Sequence, residues 1–163
     1  MKINIKKIQN GTYNYSEAQE FKAVEINDYK GSYTVWIELT KTDEQIHIKN
    51  KVETKYLAAC DRCLEEFENE TESEFELIFI FGTNKQKLED DNTKFIDQET
   101  EYIDITQDIR DYVILSFPMQ HICKEDCKGL CPRCGKDKNK EKCTCEEEVY
   151  NPLWDKLKDI KLS

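Results

Sequence analysis

Eight cysteines set in close pairs constrain this chain more than any other feature. Cys60 and Cys63 stand by themselves, and Cys123, Cys127, Cys131, Cys134, Cys143 and Cys145 crowd one stretch. A tetrahedral zinc site takes two thiolates from one tight turn and two from elsewhere, so the fold must bring such pairs together. Cys131-Pro132-Arg133-Cys134-Gly135 has the composition of such a turn: Pro132 presets a dihedral, and Gly135 lets the chain leave with positive φ. Cys143-Thr144-Cys145 can close it, which makes Cys131, Cys134, Cys143 and Cys145 one candidate ligand set. Cys60, Cys63, Cys123 and Cys127 form a second, from two pairs distant in sequence. A single residue between Cys143 and Cys145 strains two ligands toward one ion, so Cys127 in place of Cys145 is an alternative for the first set.

The competing account of paired cysteines is a disulfide framework in a short secreted chain. Residues Met1 to Ile8 contain no apolar signal run, so the expected compartment is a reducing cytosol, where such thiols bind metal. A thioredoxin-type centre is disfavoured as well. Cys60-Asp61-Arg62-Cys63 has redox spacing, but it lies between strand-like segments and lacks the helix N-terminus that lowers a thiol pKa. A redox or metal-relay protein using Cys60 and Cys63 is the second functional reading.

At 163 residues the chain fits one core with a small appendage: a β-rich core with one helix at 1–120, and a zinc knuckle with a C-terminal helix at 121–163. No apolar run approaches the ~20 residues of a membrane span. With 24 Lys and Arg against 34 Asp and Glu the net charge is -10, which argues against a nucleic-acid binder working through a global basic field. The charge is uneven, however. Glu65 to Asp104 holds 14 acidic and 3 basic residues, whereas Lys128 to Lys142 holds 6 basic and 2 acidic. Any contact with RNA therefore falls to Arg133, Lys136, Lys138 and Lys140 on the knuckle.

Apolar residues alternate with polar ones at Ile3 and Ile5, at Tyr33, Val35, Ile37 and Leu39, and from Ile46 to Tyr56, which predicts antiparallel strands with one buried face. Lys41 to Glu44 supplies a hairpin turn. In the next strand Glu66, Glu68, Glu70, Glu72, Glu74 and Glu76 form an acidic ladder on one face, and the apolar run Leu77 to Phe81 is expected to be fully buried. Such a ladder is either a solvated edge or a surface for a basic partner. Gly82 to Glu101 reads as a mobile surface loop, and Tyr102 to Ile105 as a return to the sheet edge. Ile105, Ile109, Tyr112, Val113 and Ser116 follow helical spacing, with Asp104 as N-cap, Gln107 at the capping-box position and Pro118 as the stop. Asn151-Pro152 opens a last helix with a stripe of Leu153, Trp154, Leu157 and Ile160.

Catalytic signals are thin. Four thiolates leave a zinc ion no open position, so such a site is structural. His47 lies on a polar strand face, and His121 is a lesser candidate ligand beside Cys123. No phosphate loop or nucleophile elbow is present.

Cys60-Asp61-Arg62-Cys63-Leu64-Glu65, Ile103-Asp104-Ile105 leading into a helix that ends at Phe117-Pro118, and Cys127-Lys128-Gly129-Leu130-Cys131-Pro132-Arg133-Cys134-Gly135 with Cys143-Thr144-Cys145 together resemble the bacterial YceD family, the large ribosomal RNA subunit accumulation proteins. The resemblance runs from about Tyr33 onward. It implies a non-enzymatic role in accumulation or maturation of large-subunit (23S) ribosomal RNA, with that RNA or a large-subunit ribosomal protein as partner and no membrane or small-molecule substrate. Some members lack the C-terminal cysteines, so metal there implies stabilisation and not catalysis. The expected fold is α+β: a mainly antiparallel sheet flanked by two helices, with a zinc-stabilised C-terminal segment.

Overall fold

In the computed structural model, which describes residues 1–24, 26, 29–82 and 92–145, the alternating segments become long strands. In chain order the elements are β1 (Lys2–Asn4), β2 (Gly11–Glu20), a 3-10 turn (Phe21–Val24), β3 (Lys30–Lys41), β4 (Gln45–Ala59), β5 (Glu66–Phe81), β6 (Thr93–Ile96), β7 (Tyr102–Asp104) and α1 (Thr106–Ser116). Strands β2 to β5 form an antiparallel meander, and β6 joins it parallel to β5. The register sets Leu39 opposite Ile48 and Ile48 opposite Leu77, so apolar rows run straight across one face. Period-two alternation fixes which face that is, because a one-residue slip would turn every apolar side chain outward.

That face is covered by α1, whose Ile109 and Val113 are buried against Val52, Phe75 and Leu77 in one core. Each such side chain stabilises the fold by roughly 1.5–3 kcal/mol on burial. The Tyr112 ring stacks on Phe75 with centroids 4.0 Å apart. At the far end of the helix the Ser116 hydroxyl meets that of Thr71 at 2.9 Å, and Thr71 in turn bonds Thr54. Lys94 of β6 pairs with Asp108 at 2.5 Å and ties the parallel strand to the helix.

Several expectations are corrected. The structure is mainly β with one α-helix among the described residues, and the second expected helix, at Leu153 to Ile160, lies outside them. Gly82 to Glu101 is not wholly loop, since Thr93–Ile96 adds a strand. Tyr102–Asp104 does not return to the large sheet; it pairs with Lys2–Asn4 as a separate two-stranded sheet. Burial at the end of β5 is incomplete: Leu77 and Phe79 are buried, but Ile78, Ile80 and Phe81 only partly so. The N-cap of α1 is Ile105, which makes no side-chain cap, so Asp104 stands one position before the N-cap it was expected to fill. Its Oδ1 accepts from the Thr106 N–H at 3.0 Å and from the Thr106 hydroxyl, while Gln107 turns forward to Asp111 instead of closing a capping box.

The acidic ladder faces two lysines and a histidine across the strand pair on β4. Lys51 meets Glu72 at 3.1 Å, Lys55 meets Glu70 at 2.7 Å, and His47 meets Glu76 at 2.8 Å. The lysine pairs raise both lysine pKa values, first through the hydrogen bond to the glutamate.

Candidate metal centre

The turn joining β4 to β5 places the first two thiols. Cys60 N–H donates to the Glu65 carbonyl and Leu64 N–H to the Cys60 carbonyl, with Leu64 in the left-handed region at φ 61°. The turn at Cys131 repeats this pattern: Cys131 N–H donates to Lys136, Gly135 N–H to Cys131, and Gly135 takes φ 71°. Both turns aim two sulfurs the same way. Sequence spacing indicated the second turn through its Gly; nothing in Leu64 advertised the first, because leucine rarely adopts that conformation.

An aromatic cluster carries the chain from the helix to this turn. Phe117 packs on Tyr56 with ring centroids 4.5 Å apart and on Tyr29 at 4.8 Å, just beyond the C-terminus of α1. His121 follows. Its N–H donates to the Asp61 carboxylate at 2.7 Å, its carbonyl accepts from Asp61 N–H, and its ring lies 3.3 Å from the Tyr56 hydroxyl. This fastening sets Cys123 and Cys127 over the β4–β5 turn, and His121 stands with the aromatic residues, outside the thiol groups.

The sulfurs of Cys60, Cys63, Cys123 and Cys127 lie within 4.8 Å of one another, as do those of Cys131, Cys134, Cys143 and Cys145. Cys127 thus stands with Cys60, Cys63 and Cys123, the first group here, and Cys145 keeps its place beside Cys131, Cys134 and Cys143, the second, so the alternative with Cys127 in place of Cys145 is not what the structure brings together. Closest approaches run from 3.3 Å (Cys131 to Cys143) to 3.9 Å (Cys60 to Cys127), and all eight cysteines are free. Tetrahedral zinc with Zn–S bonds of ~2.3 Å sets its sulfurs ~3.8 Å apart, so the donor set fits such an ion. Each group also receives a backbone N–H on sulfur: Cys123 N–H reaches Cys60 at 3.4 Å, and Cys145 N–H reaches Cys143 at 3.3 Å.

These contacts divide the thiols. Cys60 is lowered to about 6, chiefly by the Cys123 N–H, and Cys131 to about 6 by the N–H groups of Cys134 and Arg133. Cys123 is pushed up to about 12 by burial and by neighbouring thiols, and Cys145 to about 12 by Cys143 and Cys134. One thiol ionises readily and the next resists a second negative charge. A divalent cation lets all four ionise together.

The basic knuckle is largely paired within the protein. Lys136 bonds Glu141 at 3.2 Å, and Lys140 bonds Glu65 at 3.0 Å with Asp137 at 4.0 Å; Arg133 and Lys138 also have partners. Cys63, Glu65 and Asp137 approach one another as well, but Lys140 already neutralises both carboxylates.

Residues 48–161 match the family model described as "Large ribosomal RNA subunit accumulation protein YceD". The chain belongs to the YceD family. Among relatives, the chloroplastic YCED homolog 1 of Arabidopsis thaliana is 29% identical over 79% of this chain and 50% of its own length. An uncharacterized protein of Mycobacterium tuberculosis (strain ATCC 25618 / H37Rv) is 28% identical over 76% of this chain and 59% of its own. Uncharacterized protein YlbN of Bacillus subtilis (strain 168) is 30% identical over 58% of this chain and 54% of its own. The chain spans about half the length of the curated relatives it matches. No solved structure matches it. The YceD match begins within β4 and takes in both thiol groups.

Proposed function

We propose that this protein is a non-enzymatic ribosome biogenesis factor that supports accumulation or maturation of large-subunit 23S ribosomal RNA in the cytoplasm, with zinc bound by Cys60, Cys63, Cys123 and Cys127 and by Cys131, Cys134, Cys143 and Cys145. The observation that carries the zinc assignment is the gathering of eight thiols into two groups of four, the sulfurs of each within 4.8 Å of one another. Family membership supports the RNA role. Closed four-thiolate sites hold no water to activate, so the ions serve to build a surface and not to run a reaction. The sheet core at 1–120 and the metal-held segment at 121–163 are the working division, with the Cys60–Cys63 turn as the socket between them.

The partner is large-subunit ribosomal RNA or a ribosomal protein of that subunit. Arg133, Lys136, Lys138 and Lys140 are the residues for RNA contact. Because internal carboxylates already hold Lys136 and Lys140, RNA binding through them is weak and salt-sensitive. The redox reading gains from the low pKa of Cys60 but loses because that residue is fully buried, closed to an external thiol or oxidant.

The test combines elemental analysis of the purified protein with a pull-down from native lysate, with and without RNase. Two equivalents of zinc and recovery of large-subunit RNA or its proteins are expected. Less than half an equivalent with eight titratable thiols removes the zinc, and recovery of no large-subunit component removes the ribosomal role.

A further inference from the structure

The two thiol groups are not side by side by accident of spacing; one amide side chain spans them. Asn139 belongs to the loop of the second group, yet its Nδ2 lies 3.4 Å from Sγ of Cys127 in the first. Its orientation is fixed by chemistry. Oδ1 accepts the Lys128 N–H at 2.9 Å, and since a backbone N–H can only donate, the NH₂ end must face the other way. There it meets two acceptors, Asp137 Oδ1 at 2.7 Å and the Cys127 sulfur. Asp137 also accepts the Asn139 backbone N–H at 2.8 Å, so the side chain is held at three points.

The loop that carries Asn139 is itself docked on the first turn. Leu130 N–H donates to the Arg62 carbonyl at 2.8 Å, Lys138 N–H to Gly129 at 3.0 Å, and Lys140 reaches Glu65. In return Arg62 Nη1 donates to the Cys127 carbonyl at 3.1 Å. The second group closes this loop, and the loop supplies a donor to the first group's sulfur. A hydrogen bond to a ligating thiolate favours its charged form and fixes its direction, the office of an outer-shell partner.

Resting on the zinc reading above, we infer that Asn139 is a positioning residue for the ion held by Cys60, Cys63, Cys123 and Cys127, so that the two sites load as one coupled unit. Filling the second site fixes the Asp137–Lys140 loop, which presents Asn139 to Cys127. By linkage, filling the first favours the second by the same factor.

The test is zinc competition against a chromogenic chelator, using the full chain as wild type, Asn139→Ala, Cys131→Ser/Cys134→Ser, and the three substitutions combined. Outer-shell losses run at roughly 10–100-fold in affinity, which is the expected weakening of the first site in Asn139→Ala. The double serine variant, which empties the second site, weakens the remaining ion similarly, and adding Asn139→Ala to it costs little more. In cobalt-substituted protein the sulfur-to-metal charge-transfer band shifts to lower energy in Asn139→Ala, a change that loosened packing alone does not produce. Asn139→Asp, which keeps the size but turns a carboxylate toward the thiolate, loses more than Asn139→Ala. Wild-type protein that binds no metal sinks the zinc reading itself. Two tightly bound ions whose affinities move less than twofold in Asn139→Ala, or an Asn139→Ala loss of equal size with the second site emptied, overturn the coupling alone.

Discussion

Two left-handed residues at equivalent turn positions, Leu64 and Gly135, show how one backbone need is met by different sequence. A Cβ at Gly135 would meet nothing within 4 Å, so Gly135→Ala costs only the left-handed conformation, about 1–2 kcal/mol. Gly129 has φ 69°, but a Cβ there would lie 2.8 Å from the Arg62 carbonyl oxygen, where the two turns pack. Gly129→Ala is therefore expected to destabilise more than Gly135→Ala, measured by denaturant unfolding of the zinc-loaded protein; equal effects would mean the turns do not pack as described. Asp104 gives a pH-dependent case. The Thr106 hydroxyl and N–H hold its carboxyl below the ordinary value of 3.8, with help from the N-terminal ammonium. A depressed pKa contributes stability that is present above 3.8 and is lost as pH falls through the lower folded value. Asp104→Asn is expected to lower the melting temperature at pH 7, with the difference from wild type shrinking as pH falls below 4. A constant difference across that range would assign the loss to the backbone and not to the charge.

Among the elements, β3, β4 and β5 could be read from the sequence because each alternates buried apolar residues with exposed polar ones, a pattern that survives Asn50 and Thr54 on the buried face of β4 and Asn69, Thr71 and Ser73 on that of β5. Strand β2 could not: its inward residues are Tyr13, Tyr15, Glu17 and Gln19, half-buried at the sheet margin, and only pairing with β3 makes them a strand. Strand β6 is too short and polar to show a period. The pairing of β1 with β7 joins chain segments about a hundred residues apart, which no local pattern encodes. The acidic ladder was plain in sequence, but its neutralisation by Lys51 and Lys55 depends on the β4–β5 register. Those pairs lie on the exposed face and are screened by salt. Replacing both lysines with alanine leaves the glutamates to repel one another, so thermal melts should show a loss at low salt that narrows at about 0.5 M salt. A loss independent of salt would point to packing of the lysine stems instead.

Across the whole molecule, the cysteines that looked like a C-terminal appendage reach back into the sheet. Cys60 and Cys63 sit at the tip of the longest hairpin, so one thiol group binds the 121–145 segment to the β4–β5 turn. Sequence spacing showed the pairs and offered this partition beside the alternative with Cys127 in place of Cys145; what it did not show is the aromatic seat of Phe117, Tyr29 and Tyr56 that delivers His121 and Cys123 to that turn. With zinc in both groups as proposed, its removal should therefore release two regions at once, residues 121–145 and the turn from Cys60 to Glu65. The sheet has its own core, from Val35 and Ile48 to Ile109, with none of the eight cysteines in it, so it is expected to stay folded without metal. Hydrogen exchange of the chelator-treated protein is expected to show fast exchange at Cys60, Leu64, Cys131 and Gly135, whose N–H groups close the two turns, and at Leu130, whose N–H docks one turn on the other. Protection at Val35, Ile37 and Ile48 should remain. Exchange confined to 121–145 would detach the β4–β5 turn from the metal unit, and loss of protection through the sheet would make zinc a requirement of the entire fold.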